Sequence, residues 1–175
     1  LRIVDSDPFA DVLPNTSPRL AALDQLDRVI YVGTFAKTLS ASLRSGYIAA
    51  NADTIARLAD LKMITRANSS GYIEQIIYDL ITSGRYRGHL KRLIGRIEAA
   101  TGQANDTLSR LSLPVFGQPR GGFYMWCELP GHIDDTQLSR VAAERSILLA
   151  PGSAFNPDAT PTPPAMRVNI AHVGD

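Results

Sequence analysis

The sequence predicts an α/β protein in two parts, and three observations predict it. Apolar runs of strand length, at Leu1–Asp5, Arg28–Val32 and Ser45–Ala50, alternate with helical patterns. A long stretch from Arg85 to Leu111 carries apolar residues at three- and four-residue steps. After Pro114 the texture changes to short strands and turns. The expected division is 1–84 for an α/β part with an incomplete sheet. Residues 85–175 then form a linking helix and a small α+β unit.

The elements follow in order. Leu1–Asp5 ends at the polar turn Ser6-Asp7-Pro8, where Pro8 biases Asp7 away from helix. Pro14 and Pro18 mark a loop, followed by a helical turn or two at Arg19–Gln25. Arg28–Val32 reads as a strand of the buried parallel type. Asn51 or Asp53 is expected to cap a helix over Thr54–Arg66, with Ile55, Leu58, Leu61 and Ile64 on one face. A second helix is expected from Tyr72 to Ser83, ended by Gly84. In Arg85–Leu111, Gly88, Gly95 and Gly102 each weaken the helix by roughly 1 kcal/mol relative to Ala, unless they permit close packing or a bend. Beyond Pro114, Gly117–Gly122 reads as a turn and Phe123–Leu129 as a strong strand. Asp134 or Asp135 caps a helix to Arg145, Ile147–Ala150 is a short strand, and Met166–Ala171 is the last strand.

Composition excludes several classes. The 175 residues are 45% apolar and 20% charged, with a net charge of +1, so no global field argues for nucleic acid or membrane. No apolar run is long enough to span a bilayer. No signal-peptide pattern is read at Leu1, and a cytoplasmic location is expected. The single cysteine, Cys127, excludes an internal disulfide and reads as a small buried hydrophobe. His89, His132 and His172 are dispersed, with no Cys or carboxylate at metal-ligand spacing, so no metal site is expected. Tyr124 and Trp126 are adequately explained by core packing, and the basic residues Arg85, Arg87, Lys91, Arg92 and Arg96 by a solvated helix face.

The chemistry centres on Lys37. Most lysines are solvated surface groups, but three features distinguish this one. It follows a strand end, where open α/β sheets place ligands. Its neighbours Thr34, Thr38, Ser40 and Ser42 are hydroxylated. It is the only lysine in the first 60 residues. A lysine can form an imine, and Arg44, seven residues on, can grip a phosphate.

Thr34-Phe35-Ala36-Lys37 with Leu43-Arg44-Ser45-Gly46-Tyr47 resembles the lysine signature of class I/II aminotransferases, pyridoxal-phosphate enzymes of fold type I. Arg120-Gly121-Gly122-Phe123-Tyr124-Met125-Trp126 resembles a later strand of that family. Leu149 to Phe155 resembles its Pro-Gly turn, and Met166 to Ala171 its late arginine strand. The resemblance implies the C-terminal portion of the fold type I large domain plus the small C-terminal domain. It implies pyridoxal 5′-phosphate as cofactor, held by Lys37 as an imine. The freed Lys37 amine would then move a proton between substrate and cofactor. Arg44 and the Thr34 hydroxyl would bind the phosphate, and Arg167 the substrate carboxylate.

The pattern is altered at Asp5-Ser6-Asp7-Pro8-Phe9. In the family an aspartate pairs with the pyridine nitrogen and a tyrosine follows three residues later. Here Ser6 takes the aspartate position and Phe9 the tyrosine position. Asp5 or Asp7 can substitute only if the backbone shifts by one residue, which reverses side-chain direction. Ser6 and Asp7 are the cofactor-binding candidates on this strand. Ala36 replaces a serine of the lysine motif. The whole tract also resembles the aminotransferase-like domain of MocR/GntR-type transcriptional regulators. That resemblance implies an effector-sensing domain for an amino acid or amine in a homodimer. DNA would be bound only through a domain not in this chain, and the chain is expected to be a piece of a longer protein. The alternative is a fragment of a free-standing aminotransferase that moves the amino group of an α-amino acid to a 2-oxo acid.

Overall fold

In the first unit, Leu1–Ile94, the sheet is built on one strand, Val29–Thr34 (β2). Its Val-Ile-Tyr-Val run suits a pleated, half-buried surface. β2 pairs in parallel with Ile3–Ser6 (β1) and antiparallel with Gly46–Ala49 (β3), so the sheet order is β1-β2-β3. The sequence predicts a fully buried parallel-type strand. The observed sheet is mixed, and only Val29 and Gly33 of β2 are buried, because the elements packed against the sheet do not cover both of its faces. The computed structural model describes residues 1–13, 18–66, 68–117, 121–158, 160 and 162–172. Arg120 and part of its expected turn lie outside the described residues.

The entry to β2 has a local cause. A short helix, Leu20–Asp24 (α1), ends at Gln25 and Leu26, both in the left-handed region with φ of 52° and 64°. The Asp24 carboxylate accepts hydrogen bonds from the backbone N–H of Arg28 at 2.6 Å and of Val29 at 2.8 Å. Those two bonds lower the Asp24 pKa and aim the chain into the strand.

The exit from β2 is constrained by a close backbone approach. Gly46 stands opposite Thr34, and a Cβ on Gly46 would lie 2.6 Å from the Gly33 carbonyl oxygen. Gly33 in turn leaves room for the Tyr47 ring, which crosses over it. The two glycines thus let β2 and β3 pair tightly on either side of the Lys37 connection.

Three helices follow. Ala52–Arg66 (α2) is capped by Asn51, whose Oδ1 accepts from Thr54 N–H at 3.0 Å; Asp53 lies inside the helix. The expected apolar face of α2 is only partly covered: Leu58 is half-buried, but Leu61 is 55% exposed and Ile64 82%. Gly71–Thr82 (α3) buries Ile77 and stops at Gly84, whose φ of 74° a side chain would strain. Arg85–Arg110 (α4) matches the predicted long helix, and the boundary between the units falls within it.

The second unit, Gly95–Asp175, contains Tyr124–Glu128 (β4), Asp135–Glu144 (α5), Ala150–Pro151 (β5) and Ala165–Asn169 (β6). Its sheet is antiparallel in the order β4-β6-β5. The N-cap of α5 is Asp134, which accepts from Thr136 N–H and Gln137 N–H, both at 2.9 Å. The expected strand at Ile147–Ala150 shrinks to Ala150–Pro151. Ile147 N–H still bonds to Ala142 at the end of α5, and Leu148 is exposed. The last strand ends at Asn169, where a short 3-10 helix, Ile170–His172, begins. Ile97, Ala104, Leu108, Met125, Cys127, Ala165 and Ile170 are the buried apolar residues of this unit. Cys127 is fully buried as expected, and burial pushes its thiol pKa up.

The glycines of α4 do not mediate close packing. A Cβ on Gly95 or Gly102 would meet nothing within 4 Å. Opposite outcomes therefore follow for two glycine substitutions in the complete protein. Gly102→Ala raises stability by about 0.5–1 kcal/mol. Gly46→Ala lowers it by about 1–3 kcal/mol, since the obstructing atom is backbone and cannot swing away. Urea denaturation of the two variants checks both signs.

Candidate functional site

Lys37 and Arg44 lie on one connection, between β2 and β3, with Thr34 at its start and Ser6 and Asp7 at the end of β1. Lys37 sits in a turn closed by Leu39 N–H donating to the Phe35 carbonyl at 2.8 Å. Thr34, at the end of β2, shapes the turn. Its hydroxyl accepts from Ala36 N–H at 3.1 Å and donates to the Ser45 carbonyl at 3.3 Å. Arg44 follows a 3-10 helix, Ala41–Leu43, and has a left-handed φ of 50°. Lys37 and Arg44 are both exposed. Among the described residues the ion pairs are Arg19–Asp7 and Arg28–Asp27, so no carboxylate neutralises either cation.

The turn is anchored at the residue after the lysine. Thr38 is only 3% exposed. Its carbonyl accepts from the His89 Nε2–H at 2.6 Å, and its hydroxyl lies 2.8 Å from the Tyr86 hydroxyl. Tyr86 gives its proton to the Asp11 carboxylate at 2.6 Å, so Thr38 is the donor to Tyr86. Burial, reinforced by the bond to Asp11, pushes the Tyr86 pKa up. On the same side, Phe35 packs its ring 5.8 Å from Tyr47 and 5.9 Å from Tyr86. The sequence marked His89 as surface or structural, and it is structural. Tyr86 and Asp11 were not singled out at all, and no local pattern points to contacts 48 and 75 residues apart.

The Ser6–Asp7 half is differently disposed. Ser6 is exposed at the end of β1, in register with Val32, and its hydroxyl bonds to no described residue. Asp7 lies just past β1. Its Oδ2 accepts from Arg19 Nε at 2.9 Å and from the Tyr31 hydroxyl at 3.2 Å. Burial, then the charge of Asp7, raises the Tyr31 pKa to about 12. The hydrogen bond to Asp7 raises that of Arg19. The Asp7 carboxylate is thus engaged with partners from its own unit.

Arg167 belongs to the second unit and is described within it. It stands on β6 opposite Trp126, and its guanidinium lies 4.2 Å over the Tyr124 ring and 4.9 Å from the Phe155 ring. Phe155 is itself edge-on to Trp126 at 5.5 Å. Tyr124 and Trp126 therefore do not fill the core, as the sequence reading had it; Met125 and Cys127, on the opposite face of β4, do. The alternation is visible in the sequence, but the register that sets Arg167 against this face is not.

The turn after β5 is held by Asp135. Its carboxylate accepts from Ser153 N–H at 3.0 Å, Ser153 Oγ at 2.9 Å, Thr136 Oγ1 at 3.3 Å and Ala165 N–H at 3.4 Å. Gly152 is required there, since a Cβ would meet Ala165 Cβ at 2.8 Å and Trp126 at 3.1 Å. Burial works to raise the Asp135 pKa, but the donors outweigh it and hold the carboxyl below its ordinary value.

Comparison with known proteins adds three findings. Residues 5–175 match the family model of aminotransferase class I and II. Among curated proteins, the chain is 28% identical over 158 residues to the HTH-type transcriptional regulator YisV of Bacillus subtilis, covering 88% of this chain and 33% of that protein. It is 27% identical over 157 residues to the HTH-type transcriptional regulator NorG of Staphylococcus aureus, covering 87% and 36%. The chain thus spans about a third of the length of the curated relatives it matches. Among solved structures, kynurenine aminotransferase from Pyrococcus horikoshii superposes with a TM-score of 0.87 at 23% identity, over 99% of this chain and 44% of that one. This likeness shows the fold: the C-terminal part of a fold type I large domain followed by the small domain. Among the described residues no helix is long and apolar enough to cross a membrane.

The Asp135 geometry sets a pH dependence. Its folded pKa is depressed, so its contribution is complete above the ordinary value of 3.8 and is lost as pH falls through the lower folded value. Asp135→Ala is expected to lower stability by about 1–3 kcal/mol at neutral pH, because the buried Ala165 N–H loses its acceptor. The gap between wild type and variant closes under acid. Paired denaturation curves at neutral pH and below 3.8 measure this.

Proposed function

Because the chain belongs to the class I and II aminotransferase family, we propose that it is the cofactor-holding, effector-sensing domain of a GntR/MocR-type transcriptional regulator. One observation carries the reading: the connection between β2 and β3 presents two exposed cations with no counter-ion among the described residues, while the neighbouring Asp7 is held through its Oδ2. The donor set of Lys37 and Arg44 fits a phosphorylated aldehyde, an amine for the carbonyl carbon and a guanidinium for the phosphate. The family cofactor, pyridoxal 5′-phosphate, supplies a reactive aldehyde and an aromatic ring that withdraws electrons when its nitrogen is protonated.

In this reading Lys37 would hold the cofactor through its Nζ, which could also carry a proton. Arg44 grips the phosphate, and Thr34 joins it by exchanging its Ser45 acceptor for a phosphate oxygen. Arg167, kept flat by Tyr124 and Phe155, binds the carboxylate of an amino acid. The residues near Ser6 do not fit a charged partner for the ring nitrogen. Asp7 is held through its Oδ2 by Arg19 and Tyr31, which offset its charge, and Ser6 offers only a neutral hydroxyl. Reversible capture of an amine needs the lysine and the phosphate grip; fast turnover also needs the ring nitrogen kept charged. The imbalance supports sensing over turnover.

The relatives that are HTH-type regulators support the same reading. DNA contact would then come from a separate domain, in a cytoplasmic homodimer, with an amino acid or amine as effector. The intact Arg167 cage supports a second reading, a fragment of a free-standing aminotransferase acting on α-amino acids.

An absorbance titration with pyridoxal 5′-phosphate tests the anchor. The complete protein is expected to develop a visible band that Lys37→Ala abolishes. The 175-residue chain alone is expected to bind weakly or not at all. A band that survives Lys37→Ala in the complete protein refutes the role of that lysine.

A further inference from the structure

We propose that Tyr86 and His89 of α4 are positioning residues for Lys37, acting through the buried Thr38 that follows it. The inference rests on the reading of Lys37 as cofactor anchor. Lys37 is exposed and its side chain has no described partner, so its place depends on its backbone. Upstream, that backbone is tied by the Thr34 hydroxyl and by the Phe35–Leu39 hydrogen bond. The Thr34 hydroxyl and the Phe35 N–H also both donate to the Ser45 carbonyl, at 3.3 and 3.2 Å, which ties the upstream end to the residue before β3. Downstream, Thr38 is tied to other elements: its carbonyl to His89, and its hydroxyl through Tyr86 to Asp11.

The relay joins three segments at one buried residue. Asp11 lies two residues beyond Phe9, in the chain leaving β1. Thr38 lies beside the lysine, and Tyr86 and His89 lie one turn apart on α4. A valine of similar volume would fill the Thr38 site without any hydroxyl. The Thr38 hydroxyl, donating to a tyrosine that itself donates to a carboxylate, specifies one arrangement of the turn. A covalent anchor must meet its carbonyl carbon in a narrow geometry, and displacements below 1 Å are costly there. The relay therefore sets where the Lys37 amine can reach.

The test uses the complete protein and pyridoxal 5′-phosphate. The readouts are the dissociation constant and the pH midpoint of the visible band of bound cofactor. Tyr86→Phe keeps the ring contact with Phe35 and removes only the hydroxyl. His89→Leu removes the donor to Thr38, and His89→Gln restores an N–H at the same reach. Tyr86→Phe and His89→Leu are each expected to weaken binding roughly three- to tenfold, the worth of one hydrogen bond, and to shift the midpoint. His89→Gln is expected to return both values toward wild type. Folded Tyr86→Phe and His89→Leu proteins with wild-type affinity and midpoint would overturn the proposal. If either variant fails to fold, Thr38→Val replaces it, and an unchanged midpoint there overturns the proposal equally. Lys37→Ala separates the two levels. Loss of the band in Lys37→Ala with no effect of the relay variants rejects the relay alone, whereas a band retained in Lys37→Ala rejects the anchor and the relay with it.

Discussion

The first unit depends on β2 having no free edge. One side of the strand is paired with β1 and the other with β3, so its hydrogen-bonding groups are used along both edges. The two pairings differ in direction, and that difference builds the site. The parallel pairing brings the ends of β1 and β2 to the same edge of the sheet, which sets Asp7 within reach of Tyr31. The antiparallel pairing forces the chain to turn back at that edge, and the turn carries Lys37 and Arg44. The return is tight because neither Gly33 nor Gly46 has a side chain to hold the strands apart. Replacing either ladder would move the lysine connection relative to the carboxylate.

How much of this is legible in the sequence varies with the range of the interaction. Helices α2 to α4 and strands β2, β3 and β4 follow from periodicity and β-branched content, both local signals. The caps at Asn51 and Asp134 are legible for the same reason, since a capping oxygen and the N–H that donates to it lie within three residues. The strand near residue 150 is misread because strand length depends on its partner: β6 offers β5 only Met166 and Arg167. The apolar face of α2 is legible as a pattern, yet a pattern does not say what covers it. Lys37, Arg44 and Arg167 are visible as motif residues. Their supports are not: Thr38 to Tyr86, Asp7 to Tyr31 and Arg167 to Tyr124 are contacts across 48, 24 and 43 residues. Only the fold establishes those pairings.

Saturation of hydrogen bonds separates the polar groups that hold this fold from those free to act on something else. Asp135 accepts from four donors and leaves little capacity for a ligand, which is why it reads as the clamp of the Gly152 turn. Asp7 falls on the same side, its Oδ2 shared by a guanidinium and a phenol. Lys37 and Arg44 fall on the other, exposed and paired with no carboxylate among the described residues. Arg167 is the most telling case. Two aromatic rings cover part of its guanidinium, removing water from its faces while leaving its N–H donors to be used in plane. Ring contact replaces only part of the lost hydration, so an in-plane carboxylate gains more from this arginine than from a fully solvated one. In the proposed reading, cations left open beside an Asp7 held through its Oδ2 favour the capture of anions and amines over a charged contact to an aromatic ring.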